Sequence, residues 1–97
     1  MHVHIQRRKN CWDCSTLGGS IIVFKHMTQA LDFAWQRILT SGSDTFYIRT
    51  APTRHPDQLY IQDVDPLDSP YLFQSTSKRE AYNDLLITLQ MLNEVPS

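Results

Sequence analysis

Ninety-seven residues with 41% apolar and 10% aromatic content suit one folded domain with its own core, and exclude both a disordered chain and a two-domain protein. Nine Lys/Arg against ten Asp/Glu leave a formal net charge of −1, which excludes a strongly basic nucleic-acid binder and a wholly acidic one. The longest apolar run, Ile21–Phe24, is far short of a bilayer span. The N-terminal segment carries its charge after a short alternating stretch rather than before a long apolar block, and two cysteines fit a reducing compartment. No membrane association is expected, and the location implied is cytoplasmic.

The elements follow from periodicity. Val3 and Ile5 alternate with His2, His4 and Gln6, the pattern of a half-buried strand, and Ser20–Lys25 reads as a second, more fully buried strand after a turn at Gly18-Gly19. Between Thr28 and Thr40 the residues Leu31, Ala34, Trp35, Ile38 and Leu39 recur at helical spacing, with Thr28 as N-cap and Gly42 placed to end the helix. Thr45–Thr50 sets Phe46 and Ile48 against Tyr47 and Arg49, and Gln58–Val64 sets Leu59 and Ile61 against Tyr60 and Gln62, giving two more strands separated by a loop with Pro52 and Pro56. Asp65–Pro70 cannot continue a ladder, because Pro66 and Pro70 lack a donor and the aspartates favour turns. Tyr71–Phe73 adds a brief extended piece. Ser77-Lys78-Arg79-Glu80 then fits a capping box, and Tyr82, Leu85, Leu86, Leu89 and Leu92 form the apolar stripe of a second helix that Pro96 closes.

The order strand, strand, helix, strand, strand, helix predicts a single α+β domain over 1–97. Its architecture is a two-layer sandwich of ββαββα order, with a mostly antiparallel four-stranded sheet and both helices on one face. Each half contributes two strands and a helix, an architectural echo without residue-level repetition. The other sheet face then presents His2, His4, Tyr47, Arg49, Tyr60 and Gln62.

Several constellations bear on chemistry. Cys11-Trp12-Asp13-Cys14 has redox or metal-ligand spacing, and His2 and His4 could complete a set of four ligands. The cysteines lie in loop and turn sequence rather than where a strand feeds a helix, and their spacing matches no ordinary zinc module, so neither a metal nor any other cofactor is expected. His26 and His55 stand in no nucleophile or carboxylate arrangement, and Ser41-Gly42-Ser43-Asp44 is accounted for by helix-end chemistry. Three glycines, none after Gly42, exclude a phosphate loop and a dinucleotide fingerprint. The chain reads as a non-enzyme.

Charge is sorted along the chain. Residues 1–54 carry seven Lys/Arg and three Asp, whereas residues 55–97 carry two Lys/Arg and seven acids, so the halves hold opposite net charge. Arg7, Arg8 and Arg49, with Tyr47 and Tyr60 as stacking platforms, compose a direct nucleic-acid binder using the open sheet. Asp57, Asp63, Asp65 and Asp68 fall in a stretch without a single Lys or Arg between His55 and Ser77, and a row of carboxylates engages the basic track with which another protein holds nucleic acid. In length and overall character, across the full chain, the sequence resembles the small single-domain inhibitors of phages and mobile elements, in particular the anti-CRISPR proteins. That resemblance implies a non-enzymatic protein that binds a CRISPR surveillance complex and blocks DNA recruitment. The four aspartates are the expected partner contacts, and the near-neutral total charge favours local rather than complete DNA mimicry.

Overall fold

A computed structural model describes residues 1–94. In chain order the elements are β1 (His2–Arg7), β2 (Trp12–Thr16), β3 (Ile22–Phe24), α1 (Met27–Thr40), β4 (Phe46–Thr50), β5 (Gln58–Gln62), β6 (Phe73–Ser75) and α2 (Lys78–Asn93). The strands form one sheet in the order β3-β2-β1-β5-β4-β6, with every neighbouring pair antiparallel. The helices pack together over one face of it, Trp35 meeting Tyr82 edge-on with ring centroids 4.8 Å apart. An α+β fold is therefore correct in kind, but the sheet has six strands rather than four and the order is βββαβββα rather than ββαββα.

The additional strands have plain causes. In β2, Trp12 and Cys14 alternate with Asp13 and Ser15, and both apolar members are buried against the helices, so the segment expected to be loop and turn carries a period of two. It pairs with β1 through Ile5↔Cys14 and Arg7↔Trp12. Gly18-Gly19 does form a turn, but between β2 and β3: the Gly19 N–H donates to the Thr16 carbonyl at 2.9 Å, and Gly18 has φ of 75°, as the third position of a type II turn requires. β3 is not the buried strand expected of its apolar run. It lies at the sheet edge, with Ile21, Ile22 and Val23 exposed. β6 follows the anticipated Tyr71–Phe73 extension, displaced two residues along the chain.

Helix α1 starts one residue before Thr28, the expected cap. His26 is the N-cap, and the Gln29 side-chain oxygen reaches back to the N–H groups of Lys25 and His26, both at 3.1 Å. The helix ends at Thr40 on a Ser41 cap, ahead of Gly42. Its sheet-facing row is Ala30, Ala34 and Ile38, small residues that let the helix approach closely, while Leu31 and Trp35 are half-buried and Leu39 is exposed. Helix α2 begins as expected: the Ser77 hydroxyl accepts the Glu80 N–H at 3.1 Å. The Glu80 carboxylate accepts from the Thr76 and Ser77 hydroxyls, so the box is one-sided. Ala81, Leu85, Thr88, Leu89 and Leu92 are buried. The stop expected at Pro96 lies outside the described residues.

Val3, Ile5, Phe46, Ile48, Leu59 and Ile61 point at the helices, as their alternation predicts, and with Trp12, Cys14 and the inner helix residues they make one continuous core. The two halves are not topologically equivalent. The first runs outward as a meander from β1 through β2 to β3, whereas in the second the chain leaves β5, passes β4 and returns as β6. The connection spanning residues 63–72 exists because of that crossing.

Candidate functional site

The face opposite the helices is built by the outward members of the alternation. Register places His4 beside Tyr60 and Tyr60 beside Arg49, so three planar side chains line up across β1, β5 and β4. The His4 and Tyr60 rings stack at 4.6 Å with planes 18° apart, and the Arg49 guanidinium lies 4.5 Å from the Tyr60 centroid. The Gln58 side-chain oxygen accepts from the Tyr60 hydroxyl at 3.0 Å and meets His4 Nε2 at 3.1 Å, which fixes the stack at one end. At the other end the Gln62 amide meets His2 Nδ1 at 3.3 Å. Burial first, then the neighbouring His4 and Arg49, hold the His2 imidazole below its ordinary value, so it is neutral at pH 7. Arg49 Nε is buried there without a hydrogen-bond partner, as is the Gln62 side-chain oxygen.

This arrangement alters the residues expected to meet nucleic acid. His4 and Arg49 flank the Tyr60 ring, so the ring they flank is not a free platform for a base. Tyr47 packs edge-on against Tyr71 at 5.2 Å. Arg7 lies over the Trp12 ring at 4.9 Å and donates to the Cys11 carbonyl, holding the β1–β2 turn, while Arg8 is paired with Asp13 at 2.9 Å. Of the three arginines only Arg8 is ion-paired among the described residues, and of the other two Arg49 is the one on the open face.

The four aspartates also separate. Asp63 is half-buried at the end of β5: its carboxylate accepts the N-terminal ammonium at 3.0 Å and the hydroxyls of Ser43 at 3.1 Å and Ser41 at 3.4 Å. Burial alone would raise its pKa, but these donors and the ammonium charge outweigh that and lower it. It lines a cleft of about 620 Å³ together with His2, Arg37, Leu17 and Val64. Asp57 is half-buried before β5, its carbonyl accepting the Arg7 N–H at 2.7 Å. Asp65 and Asp68 are exposed on the 63–72 connection and take part in no ion pair among the described residues. Burial first, then the Asp65 carboxylate, raise the pKa of Tyr47. Among the described residues neither Asp57 nor Asp63 is ion-paired with an arginine; the N-terminus and two serines hold Asp63 instead.

The connection carries more than acids. Val64 is 73% exposed, Leu67 88% and Leu72 49%, so apolar side chains alternate with Asp65 and Asp68. Its return is pinned by the Leu72 N–H donating to the Ile48 carbonyl at 2.9 Å, and Leu67 and Ser69 N–H groups close turns on Asp65 and Pro66. Leu67 is the residue that sequence reasoning passed over; its signal is an apolar side chain between Pro66 and Pro70, where no strand or helix can bury it.

The cysteine–histidine set does not converge. His2 and His4 lie on the open face, whereas Cys14 is buried on the helix side and burial pushes its thiol up to about 12. Cys11 stands in the turn before β2, its sulfur 3.8 Å from an Asp13 carboxylate oxygen. Among the described residues no three His, Cys, Asp or Glu side chains come together as a metal site, and no helix is long and apolar enough to cross a membrane. No family model, curated protein or solved structure matches this chain.

Proposed function

We propose that this chain is a non-enzymatic binding module that seats its 63–72 connection on a nucleic-acid-binding surface of another protein and keeps nucleic acid away from it. The resemblance to anti-CRISPR proteins makes that partner a CRISPR surveillance complex. One observation carries the reading: Asp65 and Asp68, unneutralised, alternate with the exposed Val64, Leu67 and Leu72 on one ordered loop. Apolar anchors beside carboxylates suit a basic surface with apolar gaps between its Lys and Arg side chains. Asp63 is held by the N-terminus and two serines, and Asp57 lies at the other end of β5 from the connection, so the acidic contact narrows to two residues. In a gel shift, the wild-type chain abolishes DNA binding by the effector complex, and D65N/D68N raises the concentration needed by about tenfold. Equal inhibition by that variant overturns the reading.

A direct nucleic-acid binder is the second reading, favoured by the unpaired Arg49 on the open face. On that reading the chain itself shifts single-stranded nucleic acid at low salt and R49A abolishes the shift. A mimic leaves nucleic acid unshifted.

A further inference from the structure

The two edges of the sheet are built differently. β6 follows Pro70 and presents the polar Gln74, whereas the β3 edge has no charge and no proline from Leu17 through Phe24. Edge strands are ordinarily guarded by such residues, because an unguarded row of backbone donors and acceptors recruits another strand. Here Ile21 is 65% exposed, Ile22 42% and Val23 60%. Among the described residues β2 is the one neighbour of β3, so the other side of the strand is unpaired there. Beside it, between β3 and α1, runs a groove of about 480 Å³ floored by Phe24 and Phe33, whose rings lie 6.0 Å apart. Asp32 and Arg37 stand in its lining, both exposed and neither ion-paired among the described residues.

We propose that this edge pairs antiparallel with the β3 of a second copy, joining two sheets into one across a two-fold axis. The charge pattern selects a second copy over another partner. A two-fold perpendicular to the sheet sets the α1 helices antiparallel on the same side of the seam, and Asp32 of each copy then faces Arg37 of the other. Spacing agrees. Helix α1 touches β1, β2 and β3, so it sits near β2, and three strand gaps separate the two helices by about 14 Å. That is wider than the roughly 8–10 Å of direct helix packing. It is a gap that an Arg–Asp pair spans and that Phe24 and Phe33 from both copies fill. A register centred on Val23 keeps Ile22 and Phe24 of both copies on the helix side and sets Lys25 against Ile21 of the other copy, so no like charges oppose one another. The seam lies at the sheet edge opposite β6, so the two copies carry their 63–72 connections on the outer sides.

Sedimentation velocity on the full chain at tens of micromolar tests this. The wild type sediments as a dimer, and V23K, which places an ammonium at the seam from each copy, weakens association by more than about a hundredfold with unchanged far-UV circular dichroism. D32R weakens it by about fivefold and D32R/R37D restores it, a rescue that loss of folding would not give. D65N/D68N leaves the dimer intact, which separates this proposal from the partner-binding one. A monomeric wild type, a V23K variant that dimerises as well as wild type, or a charge swap without rescue overturns it.

Discussion

Asp63 gathers three donors from two distant parts of the chain: the N-terminal ammonium, and the Ser41 and Ser43 hydroxyls of the α1–β4 connection. Its lowered pKa sets the direction of a pH effect. A carboxylate whose folded pKa lies below its unfolded value of about 3.9 contributes fully at neutral pH. That contribution starts to fade as acid approaches the unfolded value and is gone below the folded one. D63A removes it and leaves two half-buried hydroxyls short of an acceptor, at a cost of about 1–3 kcal/mol near pH 7. Urea melts should show the variant's deficit shrinking as pH drops from 7 to 3. A deficit independent of pH would mean that packing, not charge, is lost. In sequence Asp63 was indistinguishable from its neighbours Asp65 and Asp68, since its partners lie 20, 22 and 62 positions away. Composition can say that acids are dense; only the fold says which one is already engaged.

At the scale of elements, the signals that proved legible are those that act within a few residues. Ser77 and Glu80 mark the start of α2 because a hydroxyl three residues ahead of an N–H can cap it in any context. S77A should cost about 1 kcal/mol and lower Tm by about 4–8 °C, followed by circular dichroism at 222 nm. The strands β1, β4 and β5 were legible for the same kind of reason, their inward residues recurring at every second position. β2 carried that alternation too, but the pair Cys11 and Cys14 drew attention to ligand spacing and away from the period set by Trp12 and Cys14. β3 misled in the opposite way. Four apolar residues in a row specify a buried strand when helices cover both its faces, yet position in the sheet is a non-local property, and here the run sits at an edge. The start of α1 moved because the Gln29 side chain reaches back to accept the Lys25 and His26 N–H groups, a device that a search for Ser or Thr caps overlooks.

At the scale of the whole molecule, the two βββα halves meet at β1 and β5 in the sheet and at α1 and α2 above it. Ile5 sits in that sheet seam, opposite Cys14 on one side and Leu59 on the other. Cutting it back by I5A leaves a cavity both halves share, so stability should fall by about 2–5 kcal/mol while unfolding stays a single transition. Tryptophan fluorescence and circular dichroism should then trace one curve; two separated curves would mean the halves unfold independently. The seam also governs how the chain reaches this state. Every other strand pair joins segments fewer than thirty residues apart, but positions paired across β1 and β5 are separated by more than fifty. Closing such a loop costs about 3–4 kcal/mol of chain entropy before any contact repays it. The hairpins and helices can therefore form early and locally, while β1 waits with one side unpaired for β5. The slow step of folding is therefore expected to be the meeting of those two strands, with the order of events in time running from the rims of the sheet to its centre.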